Sequence, residues 1–256
     1  MAANVKPIMK YPGGKRWLAK DIAAMLPPHR CYVEVFGGMG AVLLAKEPSP
    51  VEVYNDVDEG LVTVFRVARH HPDELSKELR YCLFSRSERL RWLESPGETD
   101  IQRAARWIAA RWTGFAGLAG RGFHVSRSSA AASRDTLIKN IMAVSDRLAR
   151  VSIECLGWQR LIDLYDHAPS GGGVVFFLDP PYADGDQKLY ASGGIDHAEL
   201  RERLRTVKGS WILTYGDHPL IRELYADCEI VERERWRGIN NAARKRYVEL
   251  LIRPKE

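Results

Sequence analysis

Cysteine is scarce, with four in 256 residues, at Cys31, Cys82, Cys155 and Cys228. None lies in a CxxC pair, so neither a disulfide framework nor a cysteine zinc site is expected, and a reducing, cytoplasmic compartment fits. Long apolar runs are missing too: no stretch approaches the roughly 18 residues a membrane span needs. The N-terminus, MAANVKPIMKYPGGK, lacks an apolar signal core. The 7 histidines are scattered and form no metal-ligand set. Internal repeats and low-complexity tails are absent, which excludes solenoids and linkers. What remains is ordinary for a folded chain: 45% hydrophobic and 28% charged. That balance excludes collagen-like, coiled-coil and wholly disordered classes. The length suffices for a sizeable core without staples.

Charge is unevenly placed. The whole chain carries a formal net charge of +5. Residues 101–150 alone hold nine basic side chains (Arg103, Arg106, Arg111, Arg121, Arg127, Arg134, Lys139, Arg147, Arg150) against Asp135 and Asp146. Residues 232–246 hold six (Arg233, Arg235, Arg237, Arg244, Lys245, Arg246) against Glu232 and Glu234. Two such patches suit either solvated faces or a phosphate-binding surface.

Apolar periodicity organises the chain. Residues 31–36 read as a strand, 37–40 as a glycine turn, 41–46 as a helix and 51–54 as a second strand. This strand–helix–strand unit implies a parallel sheet. Residues 61–111 turn helical, with Leu61, Val64, Phe65 and Ala68 on one face, then Leu90 and Leu93, then Ile101, Ala104, Ala105 and Ile108. Residues 113–133 read as a loop or weak hairpin. A helix follows over 135–149 through Leu137, Ile141, Val144 and Leu148. Strands return at 151–155 and at 174–178, where VVFFL suits burial on both faces. A helix at 197–207, a strand at 211–215, a helix at 221–225 and a closing strand pair at 229–231 and 247–252 complete the pattern. The expected class is α/β, with strands and helices alternating at both ends of a helical, basic insertion.

Asp179-Pro180-Pro181-Tyr182 is the sharpest chemical signal. Two prolines make the strand exit rigid and remove two donors. The position is the carboxyl end of a buried strand, where open α/β sheets bind ligands. A carboxylate, a fixed carbonyl and an aromatic ring suit an exocyclic amine on a planar ring; a turn with a capping aspartate is the plainer alternative. The turn Phe36-Gly37-Gly38-Met39-Gly40 allows close backbone approach, yet Val42 breaks a full GxGxxG. Gly13-Gly14-Lys15 lacks P-loop spacing. Asp56 suits ribose hydroxyls; taken alone, the N-cap of the helix starting near Asp58 is the plainer reading.

Taken in order, Lys10-Tyr11-Pro12-Gly13-Gly14-Lys15, Val33 to Gly40, Tyr54-Asn55-Asp56, a helical insertion and Asp179-Pro180-Pro181-Tyr182 resemble the Dam-type (D12 class) adenine-N6 DNA methyltransferases. The resemblance implies a Rossmann-like, S-adenosylmethionine-dependent fold with a seven-stranded sheet closed by a hairpin. It implies a catalytic domain over 1–62 and 146–256 and an inserted target-recognition domain over 63–145. By position, Tyr11, Lys15, Asp56 and Asp179 would contact S-adenosylmethionine, and Phe36, Gly37, Gly38 and Gly40 would shape its pocket. Asp179, Pro180, Pro181 and Tyr182 would hold the target adenine. Double-stranded DNA is the implied partner, contacted by Arg111, Arg121, Arg127, Arg134 and Lys139 of the insertion and by Arg237, Arg244 and Arg246. A monomer in a bacterial or phage setting is implied, with no membrane partner. Tyr11 stands where many members have tryptophan, Val35 where they have proline, and Asp58 where asparagine is frequent. Residues 111–133 follow the recognition hairpin of GATC-specific members only loosely, nearest at Gly122-Phe123-His124-Val125, so no GATC specificity is implied.

Three rivals share parts of this pattern. An amino-methyltransferase acting on RNA or on cytosine N4 would use nearly the same residues. A silent DNA-binding module would keep the basic patches and leave Asp179 and Tyr182 free to vary. A dinucleotide oxidoreductase fits the first strand–helix–strand unit but leaves Asp179-Pro180-Pro181-Tyr182 unexplained.

Overall fold

Short apolar, β-prone runs build seven strands: β1 (Cys31–Glu34), β2 (Val51–Asn55), β3 (Val151–Glu154), β4 (Val174–Leu178), β5 (Ser210–Gly216), β6 (Glu229–Arg237) and β7 (Lys245–Arg253). The computed structural model describes residues 5–114, 134–167, 173–182, 194–237 and 245–255. The strands form one sheet in the order β3-β2-β1-β4-β5-β7-β6. The first five are parallel, and β7 runs antiparallel to both β5 and β6. The chain leaves β1 in one direction to β2 and β3, then returns to pair β4 on the other side of β1. That reversal places a crevice beyond the carboxyl ends of β1 and β4, where doubly wound sheets bind ligands.

Among the described residues the helices are α1 (Ala19–Met25), α2 (Ala41–Ala45), α3 (Glu59–His70), α4 (Pro72–Tyr81), α5 (Arg86–Glu94), α6 (Asp100–Trp112), α7 (Arg134–Leu148), α8 (Trp158–Tyr165), α9 (His197–Thr206) and α10 (Pro219–Leu224). Side chains alternate across the strands with a period of two, so each face builds its own core. Tyr32, Tyr54, Val175, Phe177, Ile212 and Leu251 pack with α1 to α7. Val33, Val53, Phe176, Leu178 and Leu213 pack with α8, α9 and α10. The insertion therefore shares one continuous core with the sheet. The boundaries expected at 62/63 and 145/146 fall inside α3 and α7.

A buried ion cluster ties α7 to the sheet. Arg147 meets Glu52 of β2 at 2.5 Å, and Lys46 meets the same carboxylate at 2.5 Å, with all three side chains at most 4% exposed. Arg147 is thus an internal residue and contributes nothing to the surface charge counted from the sequence.

Three sequence expectations need correction. Leu90 and Leu93 were expected on the inward face of a helix, but they are exposed, and α5 instead buries Arg89 and Trp92. Arg89 donates to the Ala110 carbonyl at the end of α6 (3.1 Å), and Trp92 meets Phe84 edge-on, contacts that outweigh two leucines. The N-cap of α3 is Asp58, which accepts from the Leu61 N–H at 3.2 Å; Asp56 is not the cap. Two helices were not expected, α1 and α8, although Trp158, Leu161, Ile162 and Tyr165 of α8 recur at helical spacing and pack on one core face. No helix among the described residues is long and apolar enough to cross a membrane.

Candidate active site

The glycine turn after β1 is shaped by close contact. A Cβ on Gly37 would lie 2.3 Å from the Tyr54 ring and 2.7 Å from the Asn55 carbonyl, so only glycine fits. Gly38 and Gly40 sit at φ +50° and +64°, the left-handed region glycine enters without strain. The Asp56 carboxylate accepts from the Gly38 N–H (2.8 Å) and from the Asp58 N–H (2.9 Å), tying the end of β2 to the turn. Burial raises the Asp56 carboxyl above its ordinary range, and those two N–H donors offset part of the rise. Asn55 staples three strand ends: its amide donates to the carbonyls of Val35 (2.9 Å) and Leu156 (3.0 Å), and its oxygen accepts from the Leu156 N–H (2.8 Å).

Beside this turn lies a cavity of about 300 Å³, lined among others by Phe36, Asn55, Val57, Leu156 and Trp158. Tyr11 approaches the turn from the other direction, 3.7 Å from where a Gly38 Cβ would stand. Its ring stacks on Trp107 of α6 at 6.1 Å, and the Arg111 guanidinium lies over the same indole, 3.6 Å from the Trp107 ring centroid. Arg111 also faces Asp58 at 4.0 Å.

The second half of the site is built at the end of β4. Lys15 is 3% exposed, and its ammonium meets Asp179 Oδ1 at 2.8 Å while donating to the Gly13 carbonyl at 2.8 Å. Thr214 of β5 donates to the same Asp179 oxygen at 2.8 Å. The Tyr182 hydroxyl stands 3.5 Å from it. All of these contacts fall on Oδ1; among the described residues Oδ2 makes no hydrogen bond. Pro180 and Pro181 are buried and hold the exit rigid. Lys15 also lies 4.8 Å from the Tyr182 ring centroid. The Tyr182 hydroxyl donates to Glu249 of β7 at 2.5 Å, and Glu249 stands 4.0 Å from Lys15. Glu249 escaped the sequence reading, although a carboxylate inside the apolar run Val248 to Ile252 was a visible signal.

The residues expected to hold cofactor and base therefore gather in two adjoining clusters: Tyr11, Phe36, Gly37, Gly38, Gly40 and Asp56 around the turn, and Lys15, Asp179, Pro180, Pro181 and Tyr182 around β4. Among the described residues, those expected on DNA do not gather. Arg111 is held against Trp107. Arg134 spends its guanidinium on the carbonyls of Arg80 (2.7 Å) and Cys82 (3.1 Å) and covers the Phe84 ring. Lys139 is exposed on α7, and Arg246 pairs with Glu234 across the hairpin. Arg121, Arg127 and Arg244 lie outside the described residues, as do the side chain of Arg237 and the echo at Gly122-Phe123-His124-Val125.

A parallel sheet closed by an antiparallel β7, a glycine turn after β1, an acidic residue after β2 and Asp-Pro-Pro-Tyr after β4 define a Rossmann-like methyltransferase. Comparison with known proteins gives the family: the chain matches D12 class N6 adenine-specific DNA methyltransferases over residues 11–239 and belongs to that family. It is 26% identical to the type II methyltransferase M1.LlaDCHI of Lactococcus lactis subsp. cremoris, over 97% of this chain and 95% of that protein. It is 29% identical to the type II methyltransferase M.MjaIII of Methanocaldococcus jannaschii, over 70% of each. Among solved structures, an rRNA methylase from Streptococcus thermophilus aligns with 96% of this chain and 99% of its own, at 11% identity and a TM-score of 0.35, a likeness too slight to carry an inference. The protein is a DNA methyltransferase of the D12 class.

Proposed function

We propose that the protein transfers a methyl group from S-adenosylmethionine to N6 of an adenine turned out of duplex DNA. The observation that carries this reading is the Asp179 carboxylate, held by Lys15 and Thr214 through one oxygen and open at the other. The residues around the glycine turn fit the cofactor: the left-handed glycines leave the backbone bare, Asp56 offers acceptors to ribose hydroxyls, and the cavity beside Phe36 and Val57 accommodates a flat ring. When bound, S-adenosylmethionine supplies an electrophilic methyl group on a sulfonium.

The N6 lone pair is delocalised into the purine ring, so the amine is a weak nucleophile until it is drawn out of that conjugation. Asp179 Oδ2 and the Pro180 carbonyl accept its two N–H bonds and favour a pyramidal nitrogen. Asp179 then stabilises the positive charge developing on N6 and receives the proton shed after transfer. The Tyr182 ring face stacks on the base and favours the same charge. Turning the base out costs a few kcal/mol, which phosphate contacts by basic side chains offset. We assign target recognition to residues 63–145 and the chemistry to 1–62 and 146–256.

The test is transfer of a labelled methyl group to unmethylated duplex DNA, with the nucleosides resolved by mass. The parent is expected to form N6-methyladenine, and Asp179→Ala to lose at least about a thousandfold in kcat while still folding. Product on RNA alone, or N4-methylcytosine in place of N6-methyladenine, contradicts the reading. Sequencing the product identifies the recognition site.

A further inference from the structure

We infer that Glu249 is a positioning residue for methyl transfer: its carboxylate holds the Tyr182 hydroxyl and, together with Asp179, brackets the Lys15 ammonium. The inference rests on the proposed reading of Tyr182 as the ring that receives the base. Glu249 sits at a fixed place in the sheet, opposite Gly216 of β5 and Arg233 of β6. It is only 9% exposed. A carboxylate taken this far out of water must be hydrogen-bonded or paired. Two of its neighbours are parts of the site, the Tyr182 hydroxyl at 2.5 Å and the Lys15 ammonium at 4.0 Å.

The geometry says what this accomplishes. Tyr182 follows two prolines, so its backbone is rigid, but a phenol ring can still swing about its side-chain bonds. A short, charge-assisted hydrogen bond at the far end of the ring removes that freedom. The Tyr215 ring, 5.7 Å away and tilted, supports the same orientation from the side. Lys15 lies 4.8 Å from the centre of the Tyr182 ring. A carboxylate on each side of that ammonium fixes it relative to both Asp179 and the ring. Glu249 touches neither base nor cofactor; it acts through Tyr182 and Lys15.

The experiment measures kcat and KM for the parent, Glu249→Ala, Glu249→Gln, Tyr182→Phe and the doubles on a duplex carrying the mapped site, with S-adenosylmethionine binding followed by calorimetry. Glu249→Ala is expected to lower kcat about ten- to a hundredfold, the range for a lost charge-assisted hydrogen bond. Cofactor affinity should change by less than about threefold. Tyr182→Phe, which removes only the hydroxyl, should lose up to the same factor, and the Tyr182→Phe/Glu249→Ala double should lose no more than Glu249→Ala alone. Glu249→Gln keeps an acceptor and should recover a good part of the activity. Should Glu249→Ala fail to fold, the isosteric Glu249→Gln combined with Tyr182→Phe reads the same coupling at a smaller amplitude, the part that the charge supplies. An unchanged kcat, or losses that multiply in the double, overturns the inference while leaving the proposed function standing. A parent that makes no N6-methyladenine overturns both.

Discussion

Glu34 ends β1 directly beneath the glycine turn, and it is 2% exposed. Its carboxylate oxygen accepts from the Tyr32 hydroxyl at 2.8 Å and the Leu43 N–H at 2.7 Å. Burial nevertheless pushes its pKa up to about 8 from an ordinary 4.5, and the neighbouring Asp179 charge pushes in the same direction. Near neutral pH this side chain is therefore a neutral acid, which spares the site an unpaired negative charge near the Lys15–Asp179 pair. The unfolded chain releases this proton near 4.5 and the folded chain near 8. Between those values the folded state binds more protons, so the Glu34 contribution to stability falls as pH rises across that window and is level outside it. Glu34→Gln mimics the neutral acid without titrating. Its stability relative to the parent is expected to rise from pH 5 to pH 8 by on the order of 3 kcal/mol, read by urea denaturation at both values. A difference that stays constant with pH would mean that Glu34 is already ionised in the folded protein.

At the level of elements, α6 links the insertion to the cofactor side of the site through one side chain. Trp107 stacks on Tyr11, carries Arg111 on its face, and packs against the start of α3 so tightly that a Cβ on Gly60 would lie 2.7 Å from its ring. Gly60→Ala must displace that indole. The expected result is a loss of about 1–3 kcal/mol from overpacking, together with weaker S-adenosylmethionine binding because Tyr11 moves with Trp107. Thermal denaturation and calorimetry read the two effects. Intact cofactor binding in a destabilised variant would detach Trp107 from the site. This coupling also shows where the sequence stops being informative. Val174 to Leu178, Trp211 to Tyr215, the glycine turn and Asp179-Pro180-Pro181-Tyr182 were legible because burial on both faces and fixed backbone geometry leave local marks. The face of α5 was not, because Arg89 goes inward to meet a carbonyl of a different helix. Glu249 was not, because its partners Tyr182 and Lys15 are 67 and 234 positions distant in the chain and only the sheet order brings them together.

For the molecule as a whole, the distribution of free cations decides how duplex DNA is held, and a count along the sequence misjudges it. Residues 101–150 hold nine basic side chains. Yet Arg147 is buried on Glu52, Arg103 pairs with Asp100, Arg111 lies on Trp107, and Arg134 closes the carboxyl end of α4. Each of these guanidiniums is committed to the fold, and a committed cation displaces few counterions from DNA. Lys139 differs: it is exposed on α7, next to Asn140, whose amide reaches the carbonyls of Pro7 and Ile8 on the segment leading to Tyr11 and Lys15. Lys139→Ala is expected to reduce the slope of log K against log salt by about 0.9, the value for one phosphate contact, with thermal stability unchanged. Arg134→Ala should do the reverse, costing about 1 kcal/mol of stability through the lost cap on α4 and leaving the salt slope intact. Duplex binding measured at several salt concentrations, paired with melting curves, separates the two. A slope that responds to Arg134 and not to Lys139 would place the DNA against α4 and α5, on the side where Tyr81 and Leu83 are exposed, instead of against α7 and the amino-terminal segment.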